Sequence, residues 1–247
     1  MKSILKLVTG IVVLVAAIAA FAPATLLDAP LAAFSERRLR LADATGPWWR
    51  GHGVVTSADG TVRIPLRWNL DGAALVRGRL AVRVGDGVDG GPRADVTLGS
   101  ASIDVRELHA RVPAALLAAL DPRLQALTPG GIIIVDAPSL SAAGDAVGGT
   151  LDAMWTNARI VTGEAIVDVG TVTLTANLAT RPATATIGNT GGDVAVAGTI
   201  VERAGATDVD IVVRPAATAS AAARNAVSML GAPDATGAIH VVWRASR

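Results

Sequence analysis

Beyond residue 60, apolar and polar residues alternate with period two along most of the chain, the pattern of strands that bury one face and show the other to water. In TVRIPLRWNL, residues 61–70, Val62, Ile64, Leu66, Trp68 and Leu70 fall on one side and Arg63, Arg67 and Asn69 on the other. Pro65 sits on the arginine side and removes one ladder donor, which predicts a local edge or bulge. The same alternation predicts strands over 75–84, 94–98, 102–112, 132–136, 150–160, 164–178, 183–187, 193–201 and 207–214. Short joints rich in Gly, Asn and Asp make these an antiparallel meander. Two segments have helical spacing instead: PAALLAALDPRLQAL, opened by Pro113, and SAAARNAVSML, capped by Ser220 and ended by Gly231.

Each helical segment is followed by a glycine and an apolar strand, GGIIIV in one case and GAIHVV in the other. Ala114 and Ser220 stand 106 positions apart, as do Gly131 and Gly237, and the Gly149 to Trp155 spacing equals that from Gly237 to Trp243. This regularity predicts a helix-plus-sheet module repeated twice.

A different pattern governs the start of the chain. LVTGIVVLVAAIAAFAPATLL, residues 7–27, carries no charge, and as a helix at about 1.5 Å per residue it reaches roughly 30 Å, the thickness of a hydrocarbon layer. Lys2 and Lys6 precede it, so residues 1–6 are expected in the cytoplasm, 7–27 as a transmembrane helix, 28–45 as a connector and 46–247 as a β-rich domain across the membrane. Arg37, Arg38 and Arg40 work against that orientation, although a following domain of this size translocates largely regardless of charge. A cleaved signal peptide with small residues at Ala17-Ile18-Ala19 is the alternative, and it also places the body outside the cytoplasm. The fold class expected is therefore mainly β: an N-terminal transmembrane helix, then an elongated, curved antiparallel sheet, half-barrel or open-barrel-like, with two short helices.

Composition narrows the chemistry. Hydrophobic residues make up 51% of the 247 but aromatics only 3%, so the core must be built from Val, Ile, Leu and Ala. With no cysteine, disulfides, thiolate metal sites and thiol nucleophiles are excluded. A net charge of +1 and a 17% charged fraction offer no basic stripe for nucleic acid. His52, His109 and His240 are far apart and none lies in an HExxH-type spacing, no G-x-S-x-G elbow occurs, and no lysine follows Lys6 to serve a phosphate loop. The glycine pairs at 90–91, 130–131, 148–149 and 191–192 read as hairpin turns, and Asp86, Asp168 and Asp193 as turn residues beside them. The expectation is a protein that is not an enzyme and that uses no cofactor or metal.

The rarest cluster is GPWWRGHG, which holds two of the five tryptophans. It is expected to form the opening corner of the fold, with Gly51 and Gly53 supplying turn freedom, Trp49 packed inward and Trp48 the more exposed. Gly46, Gly51, Gly131 and Gly237 are the candidate structural turns, and Trp49, Trp68, Trp155 and Trp243 the candidate core anchors.

In order, the basic start and single apolar run ending PATLL, the GPWWRG turn, PLRWNL, PGGIIIVDAPSL, GTLDAMWTNARI and LGAPDATGAIHVVW resemble type II secretion system protein N across essentially the whole chain. The resemblance implies a single-pass protein of the bacterial inner membrane with a periplasmic β domain, an accessory structural or assembly part of the machine that exports folded proteins across the outer membrane. Its implied partners are other secretion components in the inner membrane or the outer-membrane pore, with membrane lipid meeting the anchor, and it brings no catalytic residues. The family is also similar in architecture to periplasmic proteins whose long curved sheets shield lipid chains, so the alternative function is lipid handling in an apolar groove. An open apolar sheet face favours that alternative, and a side-chain-filled interior favours assembly.

Overall fold

The computed structural model describes residues 22–87, 91–121, 124, 127–144, 146–162, 165–203 and 206–246. They form one 13-stranded antiparallel sheet in which every strand pairs with its neighbour in sequence. The strands are β1 (Leu39–Thr45), β2 (Arg50–Ser57), β3 (Arg63–Asp71), β4 (Leu80–Gly85), β5 (Arg93–Leu98), β6 (Ser102–Pro113), β7 (Thr128–Ala143), β8 (Ala146–Thr162), β9 (Ala165–Asn177), β10 (Ala183–Thr190), β11 (Val194–Arg203), β12 (Ala206–Pro215) and β13 (Ile239–Ser246). Four short helices join them: α1 (Asp28–Phe34), α2 (Gly72–Val76), α3 (Ala115–Leu120) and α4 (Ala221–Ser228).

Residues directly opposed across an antiparallel pair share a face, so the register traces each face across the sheet. Leu70, Val82, Val96, Val105 and Leu140 form one apolar row across β3 to β7. Val135, Ala153, Leu174, Ile187, Gly198, Ile211 and Val241 continue the apolar face from β7 to β13. The other face is mostly polar, with Ile134 and Met154 in the middle and Val242 at the β13 edge as apolar exceptions. Asn69, Arg83, Asp95, Arg106 and Ser139 make one row of it, and Asp152, Thr175, Thr186, Thr199 and Asp210 another. Arg83 Nε lies 2.9 Å from Asp95 Oδ1, and the Thr175 hydroxyl donates to Asp152 at 2.8 Å.

Three side chains in β1, β6 and β8 have left-handed backbone, Asp43 (φ 52), Glu107 (φ 50) and Asn157 (φ 50), each where the register of its strand slips. These are bulges, which bend a strand and increase its twist. The effect of the bending shows in a cavity of about 550 Å³ lined at once by Arg37 and Arg38, by the β2–β3 turn (Ala58, Asp59, Thr61), and by α3 and the start of β7 (Ala115, Thr128, Pro129). In a flat sheet β2 and β7 would be five spacings, about 24 Å, apart. The first seven strands therefore curl toward one another, and the Arg38 guanidinium donates to the Leu120 carbonyl across the gap.

Two helices sit over the apolar face, α1 at the near end and α4 at the far end. From α4, Ala223 and Val227 pack on Val169, Val194, Val213 and Ile239 in the largest buried cluster. Buried side chains are mostly Ala and Val, and Val62 is the largest that is fully enclosed among the described residues. The Leu and Ile side chains along the apolar rows are only half-buried.

Several expectations change here. The sheet starts at Leu39, inside the expected 28–45 connector, and α1 occupies the rest of that segment. GPWWRGHG is the β1–β2 turn (46–49) and the first four residues of β2 (50–53), so it closes the first hairpin instead of preceding the first strand. Among the described residues four short helices appear where two short helices were expected: α1 lies in the expected connector, and Asp71 accepts the Ala73 N–H and caps α2 in a stretch that reads as the start of a strand. The pairs Gly130-Gly131 and Gly148-Gly149 lie within β7 and β8, in a single long hairpin; Gly131 (φ 102) and Gly149 (φ 115) relieve register shifts there and make no turn. Of the expected 7–27 transmembrane helix, residues 7–21 lie outside the described residues. Ala24–Leu27 form a 3-10 turn folded onto the domain, with Ala24 1% exposed, and so leave the span. No helix among the described residues is long and apolar enough to cross a membrane.

Candidate functional site

Chemistry-bearing side chains do not converge. His52 meets Thr45 at 2.8 Å, His109 meets Asp136 at 2.5 Å and His240 meets Asp234 at 3.3 Å, at three separate places on the surface. No group of three His, Asp or Glu side chains among the described residues could hold a metal ion. Asp193 reaches toward Ser220 at the α4 cap and Asp168 toward the Gly170 N–H, so these carboxylates serve turns.

What the fold does gather is apolar surface. Under α1 lies a cavity of about 260 Å³ with Leu27 and Leu31 above, Trp48 at one end and Leu41, Leu66 and Leu70 on the sheet below. Farther along, between the parts covered by α1 and α4, the same face is open: Leu98 is 36%, Ile103 48% and Val147 47% exposed. These three are successive partners across β5, β6, β7 and β8, with Ala142 between the last two.

The tryptophan corner closes one end of this face. The β1–β2 turn runs from Pro47 to Arg50, whose N–H donates to the Pro47 carbonyl at 3.0 Å. Contrary to the sequence expectation, Trp48 lines the apolar cavity while Trp49 is 38% exposed. The Trp48 backbone is fixed from both sides: its N–H donates to Ala22 at 3.0 Å and its carbonyl accepts the Trp68 indole N–H at 2.8 Å. That leaves the next side chain in the turn pointing outward. Trp68 is 7% exposed, and the space for its ring is made by Gly51, where a Cβ would come within 2.6 Å of both the indole and the Thr45 carbonyl. Gly51 is thus a clearance residue within β2, and turn freedom belongs to Gly46 (φ 91).

The other four candidates separate. Trp155 is half-buried, and its indole donates to the Gly130 carbonyl at 2.8 Å, next to the Gly131 bulge. Gly237 (φ 77) ends the turn before β13 with open space around it, and Trp243 is 56% exposed on the edge strand, outside the core that the sequence assigns it to. Trp155 and Trp243 therefore do not occupy equivalent positions, since one is in β8 and the other in β13. The helices do correspond: α3 and α4 begin 106 positions apart, and the strands they lead into, β7 and β13, lie six places apart in the sheet.

Reasoning from sequence missed Leu27 and Leu31, hidden by assignment to the anchor and connector; their i, i+4 spacing around Asp28 was the available signal. Asp28 anchors this helix to β1. Its carboxylate accepts from Arg40 Nε at 3.0 Å and from the Leu41 N–H at 2.8 Å, and the Arg40 hydrogen bond first, then the backbone N–H, lowers its pKa from 3.8 to about 2.

The family profile described as type II secretion system (T2SS), protein N, matches residues 37–242. This chain belongs to that family. The match runs from just before β1 into β13, so it spans the sheet, and the cavity leucines Leu27, in the 3-10 turn, and Leu31, in α1, precede it. As a protein N family member the chain is a component of the type II secretion system and, in general terms, one that meets other components of that machine in the cell envelope. No curated protein and no solved structure matches it.

Proposed function

We propose that this protein N family member is a non-catalytic accessory subunit of the secretion machine, tethered to the inner membrane by its apolar amino-terminal run with the sheet in the periplasm, and that it works through the apolar face of that sheet. The observation that carries the reading is the match of residues 37–242 to the protein N family, and the apolar face, continuous in register across the strands and uncovered at Leu98, Ile103 and Val147, is the surface we assign to its partners. With Ala22–Leu27 held on the domain, the charge-free run left for the membrane is residues 7–21, about 22 Å as a helix and shorter than the roughly 30 Å of a hydrocarbon layer, so the flanking residues 1–6 must enter the interface with it. A face of this kind suits a partner subunit that supplies the missing layer of the sandwich.

A second reading has a specific observation in its favour. An open apolar face with a cavity lined by apolar side chains is the arrangement that favours lipid handling over assembly, and the cavity under α1 takes an acyl chain on chemical grounds. Crosslinking the full-length chain in native membranes and isolating it separates the two. Recovery of inner-membrane or outer-membrane secretion subunits supports assembly; recovery of stoichiometric phospholipid with no secretion subunit overturns it in favour of lipid handling.

A further inference from the structure

The apolar amino-terminal run leaves the fold beside one patch. Ala22 accepts the Trp48 N–H at 3.0 Å, Ala24 donates to Gly46 at 2.9 Å, and Pro23 bridges Pro47, so the run departs at the β1–β2 turn. The neighbouring connection is bound to that turn, since the Leu70 N–H donates to the Trp49 carbonyl at 2.7 Å immediately before α2. Together these two connections expose Trp49 (38%), Leu75 (45%) and Val76 (90%). Arg50 follows Trp49 and Arg77 and Arg79 follow Val76 in the chain; all three are exposed and form no ion pair among the described residues, Asp71 caps α2, and Asp95 and Asp104 share with Arg79 a cavity on the polar side.

The geometry points to this patch as a docking surface for an anionic phospholipid bilayer. An indole and two aliphatic side chains entering the headgroup layer, ringed by arginines that meet lipid phosphates, is the combination that membrane interfaces select. The inference rests on the tethering proposed above, because the run that enters the bilayer is what brings this end of the sheet to it. Docking then fixes orientation: the β1–β2 turn and α2 lie on the membrane, while α3 and α4, at the opposite strand ends, face away by about 33 Å, the length of a ten-residue strand such as β12.

The chain has no cysteine, so a single Val76→Cys substitution accepts one environment-sensitive fluorophore without competing sites. Full-length protein carrying the label is reconstituted into liposomes of phosphatidylcholine alone or mixed with phosphatidylglycerol, each with a lipid-borne quencher at shallow depth. Flotation reports tethering, and a Met229→Cys label, at the far end near α4, serves as control. The label at 76 is expected to be quenched in the anionic liposomes and the label at 229 to remain unquenched. Replacing Arg50, Arg77 and Arg79 by Gln is expected to lower the docked-to-undocked ratio about fivefold for each arginine in anionic liposomes and to leave it unchanged in phosphatidylcholine. Floating protein whose label at 76 is unquenched overturns the docking and leaves the tethering intact. Protein that does not float overturns both. Quenching that vanishes when solubilised membrane proteins are added, with the label then shielded, reassigns the patch to a protein partner and also overturns the proposal.

Discussion

Single residues in the tryptophan corner follow from clearance and backbone hydrogen bonding. Gly51→Ala places a methyl against the Thr45 carbonyl and the Trp68 ring, and overpacking of this kind costs about 1–3 kcal/mol; urea unfolding should show that loss, relieved in part by Trp68→Leu. Trp68→Ala should cost about 3–5 kcal/mol as a buried aromatic, and Trp48→Ala should cost more than Trp49→Ala, an order opposite to the one the sequence favours. Asp28 supplies a pH test. Because Arg40 and the Leu41 N–H hold its pKa at about 2, against about 3.9 for the unfolded chain, its contribution is complete above pH 4 and disappears as pH falls toward 2. Asp28→Asn should therefore lower stability at neutral pH, and the gap to the parent should close across that acid window; salt should narrow it further, since Arg40 is 56% exposed. The sequence could not rank Trp48 and Trp49, because the choice is made by Ala22, twenty-six residues upstream, and by an indole on β3.

Strands were legible where apolar residues alternate and illegible where something else holds the inward position. In β3 the alternation is complete, and Pro65 falls where β4 has already ended, pairing only with Val54 on β2. In β2 the inward positions 51 and 53 are glycines, so the strand has no apolar stripe to read. β7 and β8 read short because their glycine pairs look like turns. α1 was invisible because Leu27 belongs to the apolar run and Leu31 stands alone beyond Asp28 in the expected connector. Among the helices, α4 has the strongest local signal, and Ser220 accepts the Ala223 N–H at 3.1 Å; Ser220→Ala should cost about 1 kcal/mol, read by thermal unfolding. The open edge at β13 carries Val242 and Trp243 at 73% and 56% exposure, an edge without a covering helix.

At the scale of the molecule, one sheet with a polar and an apolar face is incomplete by itself. Its small, β-branched and alanine-rich inward side chains suffice to hold neighbouring strands and the patches under α1 and α4, but they leave the middle of the apolar face half in water. Composition announced this, with 51% hydrophobic residues and 3% aromatics, although only the register shows that the apolar rows join into one surface. In the function proposed above, this surface is what the protein contributes to secretion. The direct measurement is export of a folded type II substrate from cells whose only copy of the protein carries Ile103→Asp and Val147→Asp, compared with Thr186→Asp and Thr199→Asp on the polar face. All four positions are at least partly exposed, so the variants should accumulate to parental levels, which immunoblotting checks. The account predicts that the apolar-face pair loses most substrate export while the polar-face pair retains it; full export by the apolar-face pair at parental protein levels would contradict it.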